Sequence, residues 1–192
     1  MIGAGLLILL ASAWTTPILE MTPEHVREAI DYGRSGREAD LAQYPFHDEE
    51  AWHANFDTPF LRIAQLSAAL RKAEKPMGEE DVPTEFSTAQ VHLYVHAKDS
   101  GGHAPLSVSR VALVEPGQEG HVENVIPPVA SSSYVRRVPH PEPSTAPARI
   151  ARSVKAVFPI RLFVPGNKIR VTFDDGTSET VTLDAKLFTG VR

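Results

Sequence analysis

His47, Asp48, Glu50 and His53, inside the run HDEEAWH, are the densest group of metal-ligating side chains in the chain. Imidazoles and carboxylates this close could hold a divalent cation and activate a bound water, the chemistry of a metal-dependent hydrolase. Glu50 and His53 form an E-x-x-H pair, a spacing that puts a carboxylate and an imidazole on one helix face in dinuclear sites. Such sites need two of these pairs and two further glutamates, and this chain has one pair. The cluster is therefore read as a polar loop ahead of a helix, with no catalytic, cofactor-binding or metal-ligating residue assigned. The alternative reading, a metal-dependent hydrolase, would use His47, Asp48, Glu50 and His53, with Arg62 beside them.

A second group lies in VHLYVHAKDSGGH, Val91 to His103. On a helix, His92 and His96 would share a face and could grip one zinc ion. On a strand they share a face about 13 Å apart, at about 3.3 Å per residue, and no single metal spans them. Val91, Leu93, Val95 and Ala97 alternate strictly with His92, Tyr94, His96 and Lys98, so the segment is predicted to be a strand with its histidines on the outer face. His103 could approach one of them across a turn, but no third ligand completes a set. Asp99-Ser100-Gly101-Gly102 resembles the nucleophile loop of trypsin-like serine proteases over four residues. Where that family has Gly before the Asp and Pro after the glycines, this chain has Lys98 and His103. No Ala-Ala-His context lies upstream, so the run reads as a hairpin loop. Gly33-Arg34-Ser35-Gly36 is one residue short of a nucleophile elbow. No phosphate loop or dinucleotide fingerprint is present.

The elements that would position these residues change character along the chain. Thr22-Pro23-Glu24 is a helix start, with Thr22 capping, Pro23 at the first helical position and Glu24 facing the positive end of the dipole. Val26, Ala29 and Ile30 follow on one face, with Gly33 as the stop. Asp57-Thr58-Pro59 starts a second helix, expected to run to about Lys75, and Gly78 to Asp81 adds a turn. From Val91 the period becomes two. Leu106 to Val114 reads as a strand with a bulge near Arg110. Glu115 to Pro147 is a proline-rich excursion with one short strand near Tyr134 to Val138.

Pro165-Gly166 marks a turn, and the flanking segments are expected to pair Leu162 with Ile169, Ile160 with Val171 and Phe158 with Phe173. Pro159 would put the first of these strands on an edge. The next hairpin is expected to use a three-residue loop, Asp174-Asp175-Gly176 with Gly176 left-handed, pairing Val171 with Glu179 and Ile169 with Val181.

The start of the chain, MIGAGLLILLASAW, holds an apolar run from Ile2 to Ala13. It is shorter than the roughly 20 residues of a membrane span and ends in Ala11-Ser12-Ala13, a pattern that signal peptidase could cut. No Lys or Arg precedes it. The expectation is an exported chain, periplasmic or extracellular, with no transmembrane span once the signal is removed. The 192 residues contain no cysteine, which removes disulfides, thiol catalysis and cysteine-ligated zinc. Trp14 to Gln90 carries seven basic and fifteen acidic residues, whereas Val91 to Arg192 carries twelve and nine. Arg136, Arg137, Arg149, Arg152 and Lys155 form a diffuse basic region without interleaved aromatics, so no nucleic-acid partner is expected.

The expected fold class is α+β. A signal peptide at 1–13 precedes a helical N-terminal region at 14–86, packed on a mostly antiparallel, β-sandwich-like domain at 87–192 with the excursion at 115–150. TPEHVREAIDYGRSG and DTPFLRIAQLSAALRKAEKP resemble a loose group of uncharacterised exported bacterial proteins, in which a T-P-E-x-V and a T-P-F-x-R-I-A helix start precede β-rich sequence. The resemblance covers about Thr22 to Val82 and implies no activity. The functional expectation is a non-catalytic binding or envelope-associated accessory protein, with a protein partner in the cell envelope and no cofactor. A structural subunit of an envelope assembly is a further alternative.

Overall fold

The computed structural model describes residues 18, 20–37, 41–48, 52–98, 106–117, 123–138, 149–189 and 191–192. The expected signal peptide at 1–13, Glu50, the run Asp99 to His103 and parts of the 115–150 excursion lie outside the described residues. Helix α1 spans Pro23–Arg34 and α2 spans Pro59–Lys72. Both begin as their caps dictate: the Thr22 hydroxyl accepts from the His25 amide and the Thr58 hydroxyl from the Leu61 amide, each at 3.2 Å. A 3-10 turn at Glu79–Asp81 and a short helix α3, Thr84–Ser87, follow.

Gly33 does not stop α1. It lies within the helix, buried where the two helices cross, and a Cβ there would come within 2.2 Å of the Ala64 carbonyl oxygen and 2.7 Å of Ser67 Cβ. The glycine is a close-approach residue, and the Ser67 hydroxyl crosses the same gap to donate to the Ile30 carbonyl at 2.7 Å. Gly33→Ala is therefore expected to destabilise the protein by about 1–3 kcal/mol through overpacking, read as a lowered urea midpoint.

Nine strands form two antiparallel sheets among the described residues. Strands β1 (Tyr44–Asp48), β2 (Trp52–Asp57), β3 (Gln90–Ala97), β7 (Arg149–Pro159) and β6 (Ala130–Val138) make the first, in the order β1-β2-β3-β7-β6. Strands β5 (Asn124–Ile126), β4 (Val108–Glu115), β8 (Lys168–Phe173) and β9 (Ser178–Thr182) make the second, in the order β5-β4-β8-β9. Trp52, Phe56, Leu93, Val95, Ala156 and Phe158 meet Val111, Leu113, Ile169, Val171 and Phe173 in one core between the sheets. A second core joins α1 and α2, and Tyr44 packs against both. The Trp52 indole N–H donates to the Glu179 carboxylate of β9, tying the two sheets together. The fold is thus α+β, with helices in the N-terminal half and a β-rich C-terminal part.

Several expectations are met in detail. In the β8–β9 hairpin, Val171 faces Glu179 and Ile169 faces Val181, and Gly176 has φ 86°. The bulge falls between Val108 and Arg110, where the Ser109 hydroxyl donates towards the Thr172 and Phe173 carbonyls at 2.9 and 3.0 Å. Other expectations are corrected. Of the polar loop expected around residues 47–53, positions 47, 48, 52 and 53 lie in paired strands β1 and β2, which extend the first sheet inside the region expected to be helical, and 49–51 lie outside the described residues. The segment before Pro165-Gly166 does not pair with the one after it: β7 pairs with β3 and β6, and β8 with β4 and β9. Pro159 ends β7, which is interior rather than an edge, and a 3-10 turn over Ile160–Leu162 carries the chain to the other sheet. Apolar alternation settles which face is inward, and that face is the same whichever strand lies alongside. The excursion, finally, is more ordered than expected, since it contains β5 and all nine residues of β6.

Candidate functional site

The outer face of the first sheet is polar and half-buried, and antiparallel register decides which groups meet on it. Asp57 lies opposite His92, Asn55 opposite Tyr94 and His53 opposite His96. Lys155 of β7 lies opposite both Tyr94 of β3 and Ser132 of β6. Directly opposed residues point to the same side, so these groups form two clusters on one surface.

The first cluster sits where β2 runs into α2. Asp57 ends the strand and Arg62 lies in the first turns of the helix, and the two are 3 % and 5 % exposed. Arg62 Nη1 donates to Asp57 Oδ1 at 2.9 Å, and Nη2 donates to the Gln90 carbonyl at 3.0 Å and the Phe86 carbonyl at 3.4 Å. Tyr94 Oη donates to Asp57 Oδ2 at 3.2 Å. Arg62 Nε and His92 Nδ1 are buried with no hydrogen-bond partner among the described residues. Gln65, Leu66, Phe86 and Lys155 complete a cleft of about 370 Å³, and the Lys155 ammonium stands 5.7 Å from the Tyr94 ring centroid.

Burial governs the ionisation of this cluster. It pushes the Asp57 carboxyl up, with the Arg62 guanidinium and the Tyr94 hydroxyl pulling the other way. It also pushes the Tyr94 phenol up, reinforced by the Asp57 carboxylate. His92 is pushed down to about 3, first by burial and then by the Arg62 and Lys155 cations. Asp57 Oδ1 lies 3.6 Å from His92 Nδ1, too far for a hydrogen bond and already bound by Arg62, and it does not offset them. His92 is therefore neutral at neutral pH.

The second cluster lies further along the same strands. The His53 and His96 rings are 4.7 Å apart, and Tyr134 Oη lies 3.2 Å from His96 Nδ1. Burial, then His53 and Arg136, lowers His96 to about 4. Burial, Arg136 and Lys98 lower His53 as well, against the pull of Asp48.

The residues of the HDEEAWH run are divided between the two faces. His47 is opposite Ala54 on the inward side, stacked on the Trp52 ring at 3.7 Å between centroids. Asp48 is opposite His53 on the outer side, with Lys98 Nζ at 2.5 Å from its carboxylate. Arg62 is bound at the Asp57 end of β2, about 13 Å from the His53 end at the rise of a strand. Among the described residues, no group of three or more His, Asp or Glu is placed to hold a metal ion. Sequence reasoning put His92 and His96 on the outer face but took Asp57 only as a helix start and missed its union with Arg62, Tyr94 and Lys155. One signal was present: Arg62 falls five residues after Asp57 across a capped helix start, within reach of the carboxylate.

No helix among the described residues is long and apolar enough to cross a membrane. No protein-family model matches this chain, and neither does any curated protein. The chain is similar to a solved structure of a protein of unknown function from Burkholderia pseudomallei, at 8% identity and a TM-score of 0.38, covering 91% of this chain and 100% of that one. A likeness this loose bears on neither fold nor activity.

Proposed function

We propose that this is an exported, non-catalytic binding protein that seats a small organic monoanion in the cleft between the start of α2 and the outer face of the first sheet. The charge balance of the cleft carries the reading. Asp57 and Arg62 neutralise one another, His92 is uncharged at neutral pH, and Lys155 makes no ion pair among the described residues. One positive charge thus stands beside the apolar side chains of Leu66 and Phe86. A carboxylate on Lys155, with an apolar body against Phe86 and Leu66, answers both. A volume of about 370 Å³ lies at the small end of ligand sites. Asp57 and Tyr94, which could otherwise move protons, are occupied with one another and with Arg62. Export is supported by the apolar run from Ile2 to Ala13 and its Ala11-Ser12-Ala13 ending.

The test is calorimetric titration of short- and medium-chain monocarboxylates into the mature chain, recovered from the exported fraction with a mass beginning at Trp14. Saturable binding is expected, weakened by about tenfold or more in Lys155→Glu with its thermal unfolding retained. Equal affinity in that variant, or a full-length precursor retained in the cytoplasm, would sink the corresponding half of the proposal.

A further inference from the structure

Strand β6 is the outer strand of the first sheet. All nine of its residues pair with β7, from Ala130 opposite Val157 to Val138 opposite Arg149, without a register shift. Among the described residues no strand lies along its other side, so a row of main-chain donors and acceptors faces outward. The first half of the strand, Ala130 to Tyr134, carries no charge, proline or bulge, the usual guards of an edge.

The charge along this edge has one sign. Strands β6 and β7 together hold Arg136, Arg137, Arg149, Arg152 and Lys155 and no Asp or Glu. Arg136, Arg137 and Arg152 make no ion pair among the described residues, whereas Arg27, Arg34, Arg62, Arg170 and Arg192 do. Register also sorts the side chains by face. Val135 lies opposite Arg152, and Arg137 opposite Ile150, so all four project from one side of the two strands. On that side Val135 is 66 % and Ile150 64 % exposed, the highest values among the large apolar side chains of the described residues. The β3 ladder on β7 ends at Val154, so this patch lies beyond the part of the sheet that β3 covers.

We propose that the β6 edge docks an extended acidic segment of a partner protein as an added strand. Main-chain hydrogen bonds to β6 would supply affinity, and alternating side chains would supply selectivity, with Asp or Glu towards Arg137 and Arg152 and apolar residues over Val135 and Ile150. A second copy of this chain would bring the same cations and no acid to the edge. A nucleic acid would match the charge, but it makes no use of a strand edge and leaves Val135 and Ile150 uncovered. Lys155 projects from the opposite face into the cleft described above and takes no part in this docking site.

The test uses the full mature chain and a fluorescent peptide of about twelve residues, alternating Glu with Val or Thr to follow the strand period. Two further versions carry N-methyl groups on alternate residues, one set blocking one edge of the peptide and the second set the other. The expected result is saturable binding of the parent peptide and of one methylated version, with the other weakened by about tenfold or more. Arg137→Glu and Ile150→Glu, both at exposed positions, are each expected to weaken binding while the unfolding temperature holds. Equal binding of the two methylated versions, absence of peptide binding, or tighter binding of a single-stranded oligonucleotide of equal charge would overturn the proposal.

Discussion

Arg62→Met is expected to destabilise the protein by about 3–5 kcal/mol, because it leaves the Asp57 carboxylate buried without its cation. Both partners are almost fully enclosed, and the guanidinium also satisfies the Phe86 and Gln90 carbonyls that lead into β3. The loss therefore combines an uncompensated buried charge with two main-chain acceptors deprived of a donor. Asp57→Leu combined with Arg62→Met removes both charges and is expected to recover part of that loss but not all of it, since the two carbonyls stay unpaired. Urea unfolding of the single and double variants measures both quantities. A cost below about 1 kcal/mol for Arg62→Met would mean that water reaches the pair and that its burial is not what governs it.

Acid should unfold the protein through its histidines well before its carboxylates are fully protonated. His92 titrates at about 3 and His96 at about 4 in the folded protein, against an ordinary value of 6.5. A lowered folded-state value means that folding favours the neutral ring. The corresponding stability is fully present above about pH 6.5 and is lost as the pH falls through the window towards about 4 for His96 and about 3 for His92. Within that window His92, which is only 15 % exposed, contributes a slope approaching about 1.4 kcal/mol per pH unit. His96, packed on His53 and Tyr134, adds its own slope over a shorter window because its value is lowered less. Asp57 works in the opposite sense, since its raised value makes its protonation relieve a cost of burial. Urea midpoints measured at intervals between pH 7 and 4.5 should fall steadily, and His92→Asn should flatten the curve. Midpoints independent of pH across that range would contradict the assignment of neutral, buried imidazoles.

Legibility in the sequence tracked the range of the forces involved. Helices α1 and α2 were readable because a threonine cap followed by proline decides a helix start within four residues. The β8–β9 register was readable because a three-residue loop with a left-handed glycine leaves only one pairing that keeps Ile169 and Val171 inward. Strand β2 was missed although Trp52, Ala54 and Phe56 alternate as a buried strand does. The charged run immediately before it resembles a loop when composition alone is weighed. The β7–β8 pairing failed for a different reason. Phe158 and Ile160 reach the core in either arrangement, so hydrophobic pattern could not distinguish a hairpin from a crossover between sheets.

The same division separates what each level determined. Local chemistry in the sequence determined the α+β class, the helix caps, the inward face of each recognised strand, the bulge before Arg110 and the outward placing of His92 and His96. Only the tertiary structure decided that Asp57 closes on Arg62 and Tyr94, that Lys155 stands over the same cleft, that His47 and His53 part to opposite faces, and that β6 has no neighbour on its outer side among the described residues. Each of these depends on which strands lie side by side. That order is chosen by the summed burial of two packed sheets, and residues distant in the chain contribute to it without leaving a mark in any short stretch of sequence.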